Sequence, residues 1–213
     1  MLSCKQAHKE NIIKIFNTAR LRRVMLERTK KMDKYIETPL TKKKVKDLHA
    51  GDYVYLTGTI YTARDAAHKR MTEELAAGKE LPFDIENQIV YYLGPTPNRE
   101  GQVIGSAGPT TSSRMDKYAP TLMDRGQTGM IGKGKRNDSV IESMKKNTAV
   151  YFAAVGGAGA LLSQCIKRSE VIAYDDLGTE AIRKLYVEKL PVITVIDCEG
   201  NNLYETATIS YRK

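Results

Sequence analysis

The sequence predicts a mixed α/β fold with a layered, partly barrel-like sheet, and three observations carry that prediction. Runs of β-type residues alternate with stretches of helical period through the middle of the chain. The body is β-rich where it starts and where it ends. Two strand-type runs break into small-residue turns that open helices, at 105–109 (GSAGP) and 156–160 (GGAGA). At 213 residues, 41% of them hydrophobic, the chain suffices for one sizeable domain with an additional arm.

The elements follow in order. Ile12, Ile15, Phe16, Ala19, Leu21, Val24 and Met25 recur at helical spacing among lysines and arginines, which predicts an amphipathic basic helix. Residues 1–31 read as a basic N-terminal extension and 32–213 as the body, with Met32 as an alternative start. Thr38-Pro39-Leu40-Thr41 leads into a lysine run at 42–44, a solvated face, and a short helix over 45–48. The turn Ala50-Gly51-Asp52 introduces a strand over 53–61, and a helix then runs to about Ala77. Arg64 falls at that strand–helix junction, and Asp65 in the first turn, where a carboxylate is favoured. A strand over 88–93 ends at Gly94-Pro95-Thr96-Pro97, and a helix is expected from the Arg114–Met115 region to Asp124, closed by Gly126. A short strand over 128–131 ends at Gly132-Lys133-Gly134. Then come a helix over 138–145, a strand over 148–155, a helix over 161–166, a β-type run over 171–174 and a helix over 177–186. The stretches 192–197 and 202–209, either side of Glu199-Gly200-Asn201, read as a terminal hairpin.

The net charge of +9 is unevenly placed. Residues 1–46 hold 14 Lys/Arg against 4 Asp/Glu, while the remaining 20 face 21 in the body. A nucleic-acid-binding role would therefore rest on the arm alone. No apolar run reaches 18 residues, and the first apolar cluster is short and broken by Lys14, so neither a membrane span nor a secretory leader is expected. Glu10, Glu27 and Asp33 argue against a mitochondrial presequence. Cys4, Cys165 and Cys198 are scattered without CxxC spacing, which suits a reducing cytoplasm, and Cys165 and Cys198 are expected to be buried thiols. His8, His49 and His68 have no metal-binding spacing.

The stretch 101–120 (GQVIGSAGPTTSSRMDKYAP) concentrates the candidate chemistry. Its small residues allow close approach of a ligand, and the Ser/Thr run can cap a helix whose free N–H groups, beside Arg114, would hold an anion. Neither the GxxxxGK[ST] loop nor the GxGxxG spacing is present. Arg64, Arg114 and Lys133 all fall at strand ends or strand–helix junctions, with Thr110 and Thr111 beside the middle one. Converging cations suit a small dicarboxylate, which arginine grips bidentately. A threonine hydroxyl needs an activating neighbour to act as a base at neutral pH, so the body supplies only half of an active site.

The strings TARDAAHKR, GPTP, SAGPTTSSRMD, GKG and DLGTEAI, in that order, resemble the β subunit of class I fumarate hydratase, a group that includes L-tartrate dehydratase. The similarity runs from about Met32 to near the C-terminus. It implies a swivelling β/β/α domain and a hydro-lyase that interconverts fumarate and L-malate. It also implies an α subunit, in a heterotetramer of two α and two β chains. Three cysteines of that α subunit would hold an oxygen-sensitive 4Fe-4S cluster, with one open iron acting as a Lewis acid. By matching motif, Arg64, Arg114 and Lys133 would bind the substrate carboxylates. Thr110 would transfer the proton, with Thr111 beside it, activated by a carboxylate of the partner. Asp65 and His68 would support the site from behind, His68 otherwise being a helix-packing residue. None of the cysteines here matches a cluster ligand. Tartrate or a methylated dicarboxylate remains open as substrate, and so does a non-catalytic anion- or nucleic-acid-binding module.

Overall fold

Two kinds of strand sequence build the sheet, one alternating and one apolar throughout. The structure, a computed structural model, describes residues 33–154 and 157–209. The predicted basic helix, Cys4 and His8 lie outside them. The described residues belong to one compact unit, Asp33–Lys213. Its elements are β1 (Lys34–Glu37), α1 (Lys42–Lys46), β2 (Tyr53–Thr62), α2 (Asp65–Ala76), β3 (Ile89–Tyr91), a 3-10 turn (Ser112–Met115), α3 (Ala119–Asp124), β4 (Gly129–Gly132), α4 (Asp138–Asn147), β5 (Val150–Ala153), α5 (Gly159–Gln164), β6 (Ile166–Ala173), a second 3-10 segment (Asp175–Glu180), β7 (Ile182–Ile196) and α6 (Leu203–Ile209).

Strands β1 to β5 lie side by side and parallel. The long β7 runs antiparallel to β5 on one edge and to β2 on the other, so β2, β3, β4, β5 and β7 close into a ring. β6 pairs with the first half of β7. The pairing of β2 with β7 shifts between Leu56 and Gly58, a bulge of the kind that lets a strand curve into a closed sheet. Gly58 has φ +121, and a Cβ there would stand 2.3 Å from Thr38 Oγ1, so no other residue fits beside the end of β1.

The ring separates two cores, and the strands face both. Val54, Leu56, Ile60, Ile89, Tyr91, Ile131, Phe152, Leu185 and Leu190 fill the interior, plugged by Leu40, Val45 and Leu48 from α1 and its flanks. On the opposite face Val90, Tyr92, Met130, Tyr151 and Ile182 pack under Ala67 and Met71 of α2, Leu122 of α3 and Val140 and Met144 of α4. β3, β4 and β5 are covered on both sides, which is why IVY, GMIG and VYFA carry almost no polar residue. β2 keeps its tyrosines at 53, 55 and 61 outward or half-buried, Tyr55 stacked on Tyr35 and Tyr61 on Phe83. Each buried aliphatic side chain contributes roughly 2 kcal/mol, and a one-residue slip of β2 would exchange its aliphatic and tyrosine faces. The arrangement is the mixed α/β, partly barrel-like sheet that the sequence predicts.

Several local expectations need correcting. Residues 177–186 are not a helix: the 3-10 segment ends at Glu180, Gly178 stands at φ 57 within it, and β7 begins at Ile182. Ile182 and Leu185 have helical spacing, but pairing with β2 on one side and β6 on the other overrides it. The terminal hairpin is reduced to a single bridge, Ile196 with Asn202. Asn202 then starts α6, its Oδ1 accepting the Tyr204 N–H and its Nδ2 donating to Glu205 Oε1. β6 starts at Ile166, five residues before the expected run. The helix expected near Arg114 splits into a four-residue 3-10 turn and α3. Cys165 and Cys198 are half-buried rather than buried. No helix of the described residues is long and apolar enough to cross a membrane.

Candidate active site

Parallel strands bring their C-terminal ends to one edge of a sheet, where loops are free to carry binding groups. Here β2 ends at Thr62 and leads to Arg64, β3 leads to Tyr92 and Gly94, and β4 leads directly to Lys133. The segment after Gly105 crosses these ends. Ala107 N–H bonds Gly159 O (3.0 Å), Leu93 bridges Pro109, Thr110 N–H bonds Tyr92 O (2.8 Å) and Thr111 bridges Lys133. Thr110 therefore sits over the end of β3 and Thr111 over the end of β4.

Arg64 caps α2 in extended conformation. Its Nη2 lies 3.1 Å from Glu180 Oε1 and 3.7 Å from Asp65 Oδ1. Arg114 Nη1 lies 3.9 Å from the same Asp65 oxygen, so one carboxylate links the two arginines. Gly94 makes room for this: a Cβ there would stand 2.6 Å from Arg64 Nη1 and 2.7 Å from its Cδ. The Arg114 side chain is 54% exposed, and Lys133 is exposed too. Among the described residues no ion pair engages the Lys133 ammonium, and no hydrogen bond engages the hydroxyls of Thr110 and Thr111. Arg64, Asp65 and Arg114 thus form one contact group, while Thr111 and Lys133 are joined through their backbones.

The rim is backed by buried polar groups. His68 is fully buried and stands edge-on to Tyr92 (5.3 Å between centroids). Its Nδ1 lies 2.9 Å from Arg64 O, an acceptor only, so Nδ1 carries the proton and Nε2 is left as an acceptor. Burial lowers the His68 pKa to about 4, and the bond to Arg64 O opposes this without cancelling it. His68 Nε2, Arg64 Nε and Asp65 Oδ1 are buried atoms with no hydrogen-bond partner among the described residues. Below them Arg136 donates from Nε to Asp116 Oδ1 (2.6 Å), and its guanidinium lies over the rings of Tyr92 and Tyr151.

One expectation about the anion site changes. Of the N–H groups near Arg114, that of Ser112 is committed to Lys133 O (2.9 Å), and the 3-10 turn has no side-chain cap. Glu180 was missed as a partner of Arg64, although it stands inside the DLGTEAI string; its Oε2 also accepts the Ala66 N–H (3.0 Å). Arg136 carried no local signal and is recognisable only through its burial against Asp116.

Fold and site define an α/β barrel-and-helix domain with a cation-bearing rim at the ends of its parallel strands. The family model described as "Fumarase C-terminus" matches residues 5–207, and the chain belongs to that family. The match reaches further toward the N-terminus than the motif strings do. The chain is 41% identical over 152 residues to "Fumarate hydratase class I, anaerobic" of Escherichia coli (strain K12), covering 70% of this chain and 28% of that protein. It is similarly 40% identical over 152 residues to "Fumarate hydratase class I, aerobic" of Salmonella typhimurium, of which it spans 26%. A Methanocaldococcus jannaschii protein, named as an L(+)-tartrate dehydratase subunit beta, is 39% identical over 177 residues, covering 80% of this chain and 91% of that protein. The chain thus spans little more than a quarter of the fumarate hydratases and nearly all of the tartrate dehydratase subunit.

Proposed function

We propose that this chain is the β subunit of a hydro-lyase that interconverts fumarate and L-malate, working with an α subunit in the cytoplasm. The observation that carries the reading is the rim: Arg64 and Arg114 share the Asp65 carboxylate, while Lys133 stands on the neighbouring strand end. Three cations face two carboxylates, Asp65 and Glu180, which leaves positive charge for an incoming dianion. The unpartnered Arg64 Nε fits a site whose polar complement is completed by a ligand or partner group.

In this reading Arg64, Arg114 and Lys133 bind and orient the two substrate carboxylates. The Thr110 hydroxyl moves the proton at the carbon next to a carboxylate, made basic by a carboxylate of the α subunit, and Thr111 completes its surroundings. Asp65 fixes the spacing of the two arginines, and His68 holds the Arg64 carbonyl. The 4Fe-4S cluster belongs, in this reading, to the α subunit, and the assembly is a heterotetramer of two chains of each kind. Among the described residues no group of three His, Cys, Asp or Glu side chains comes together as metal ligands.

Coverage of 91% of a tartrate dehydratase β subunit favours L-tartrate as the second reading. Anaerobic assays with fumarate and with L-tartrate, on the chain alone and co-expressed with its α partner, test both. Turnover of fumarate only in the co-expressed sample supports the first reading, and turnover of tartrate alone replaces it with the second. Silence with both acids, with the partner's cluster verified, refutes the pair.

A further inference from the structure

Lys133 and Gly134 have every backbone polar group bonded, and the partners come from three separate parts of the fold. Lys133 N–H donates to Ser112 Oγ (3.1 Å), and Lys133 O accepts from Ser112 N–H (2.9 Å). Gly134 N–H donates to Tyr204 Oη (3.1 Å), and Gly134 O accepts from Tyr151 Oη (2.9 Å). Ser112 Oγ and Tyr151 Oη are 2.9 Å apart. The proton positions in this chain are determined. A carbonyl can only accept, so the Tyr151 hydroxyl proton points to Gly134 O, and the Ser112 proton must then point to Tyr151 Oη. Ser112 Oγ is left to accept from Lys133 N–H. Each hydroxyl is both donor and acceptor, in one direction, in a place where an unmet group would be costly.

The packing around this relay leaves little freedom. Ser112 is fully buried, and a Cβ on Gly132 would stand 2.0 Å from its Oγ and 2.9 Å from the Tyr92 ring. Gly134 has φ +83, which places the turn after Lys133 where glycine is favoured. Ser112 also lies two residues after Thr110 and two before Arg114. The same serine therefore anchors the loop bearing the hydroxyl and the arginine to the strand end bearing the lysine.

We propose that Ser112 and Tyr151 are positioning residues that fix the Lys133 ammonium relative to Thr110 and Arg114, and so set the spacing with which this rim recognises a dicarboxylate. The proposal rests on the reading of Lys133 as a substrate-binding cation. Ser112 acts through the backbone of Lys133, and Tyr151 through the Gly134 carbonyl and the Ser112 hydroxyl.

A double-mutant cycle on the assembled, co-expressed enzyme tests it, with fumarate as the probe, or L-tartrate where that acid is the one turned over. Ser112→Ala should raise KM about tenfold while kcat changes less than about threefold. Lys133→Ala should raise KM at least as much, and Ser112→Ala should add nothing in the Lys133→Ala background. A merely structural serine would lower stability and multiply the defect in both backgrounds, and that result overturns the proposal. An unchanged KM for Ser112→Ala beside a raised KM for Lys133→Ala also overturns it while leaving the Lys133 reading intact. An unchanged KM for Lys133→Ala refutes that reading, and the proposal falls with it. If Ser112→Ala does not assemble, Tyr151→Phe, which keeps the ring and removes only the hydroxyl, takes its place in the same cycle.

Discussion

Asp116→Ala would leave a buried guanidinium without its counter-charge. The Arg136 and Asp116 side chains are 0% and 7% exposed, and Asp116 is the one ion-pair partner of Arg136 among the described residues. Its second oxygen accepts the Asn137 N–H (2.8 Å) just before α4. The remaining hydrogen bonds of the guanidinium are weak: Nη1 lies 3.4 Å from Tyr92 Oη and 3.3 Å from Met130 Sδ, and Nη2 has no hydrogen-bond partner among the described residues. Breaking one side of such a pair costs about 3–5 kcal/mol, because the other charge stays desolvated. That is a large part of the roughly 5–15 kcal/mol that holds a domain folded. At this size it corresponds to a fall in Tm of about 6–20 °C. The chain has no tryptophan, so urea and thermal unfolding are followed by far-UV circular dichroism on the full chain. Arg136→Met/Asp116→Leu removes both charges and should be more stable than Asp116→Ala alone. A loss below about 1 kcal/mol for Asp116→Ala, or a double variant no better than the single, would refute the argument.

Three further outcomes are expected. His68 is held neutral with a pKa of about 4, while an unfolded histidine titrates near 6.5, so the unfolded chain binds the extra proton between those values. The stability is fully present above about pH 6.5 and falls by about 3 kcal/mol as the pH drops toward 4; unfolding free energies at pH 7.5 and 4.5 should show a shallower slope in His68→Gln, and an equal slope would count against a buried neutral imidazole. Glu180→Gln removes the nearer of the two charged partners of Arg64, and since Asp65 remains and the amide keeps a hydrogen-bonding oxygen it should cost about 1 kcal/mol while raising KM of the assembled enzyme several-fold; a changed Tm with unchanged KM would make Glu180 purely structural. Thr110→Val should lower kcat by about 100-fold with KM nearly unchanged, and an effect confined to KM would reassign Thr110 to binding.

Much of the fold was legible because local chemistry and tertiary demand agree. The alternation in β2, the Arg64–Asp65 junction and the order of the glycine-flanked basic residues each follow from patterns a few residues long. The helix α4 is likewise announced by its own residues, Asn137 capping the Val140 N–H at 2.9 Å. Where two local patterns compete, the sequence by itself does not choose. Residues 182–186 have helical spacing and became strand because β2 and β6 offer backbone partners on both edges. Asn202 to Glu205 could have continued a hairpin and instead capped a helix.

The site divides in the same way. Its candidate cations and hydroxyls were named from sequence, by residue type, by position at strand ends and by the family resemblance of the motifs that hold them. Their grouping was decided only by the tertiary structure. Parallel pairing of β2, β3 and β4 carries Arg64, the 110–114 turn and Lys133 to one edge. Glu180 reaches the start of α2 from 114 residues away, as its bond to Ala66 shows. The Ser112 N–H, one of those that the sequence offered to an anion, is taken by the Lys133 carbonyl. A backbone donor bonds whatever acceptor the closed sheet places before it, and long-range strand pairing leaves no trace in the spacing of neighbouring residues.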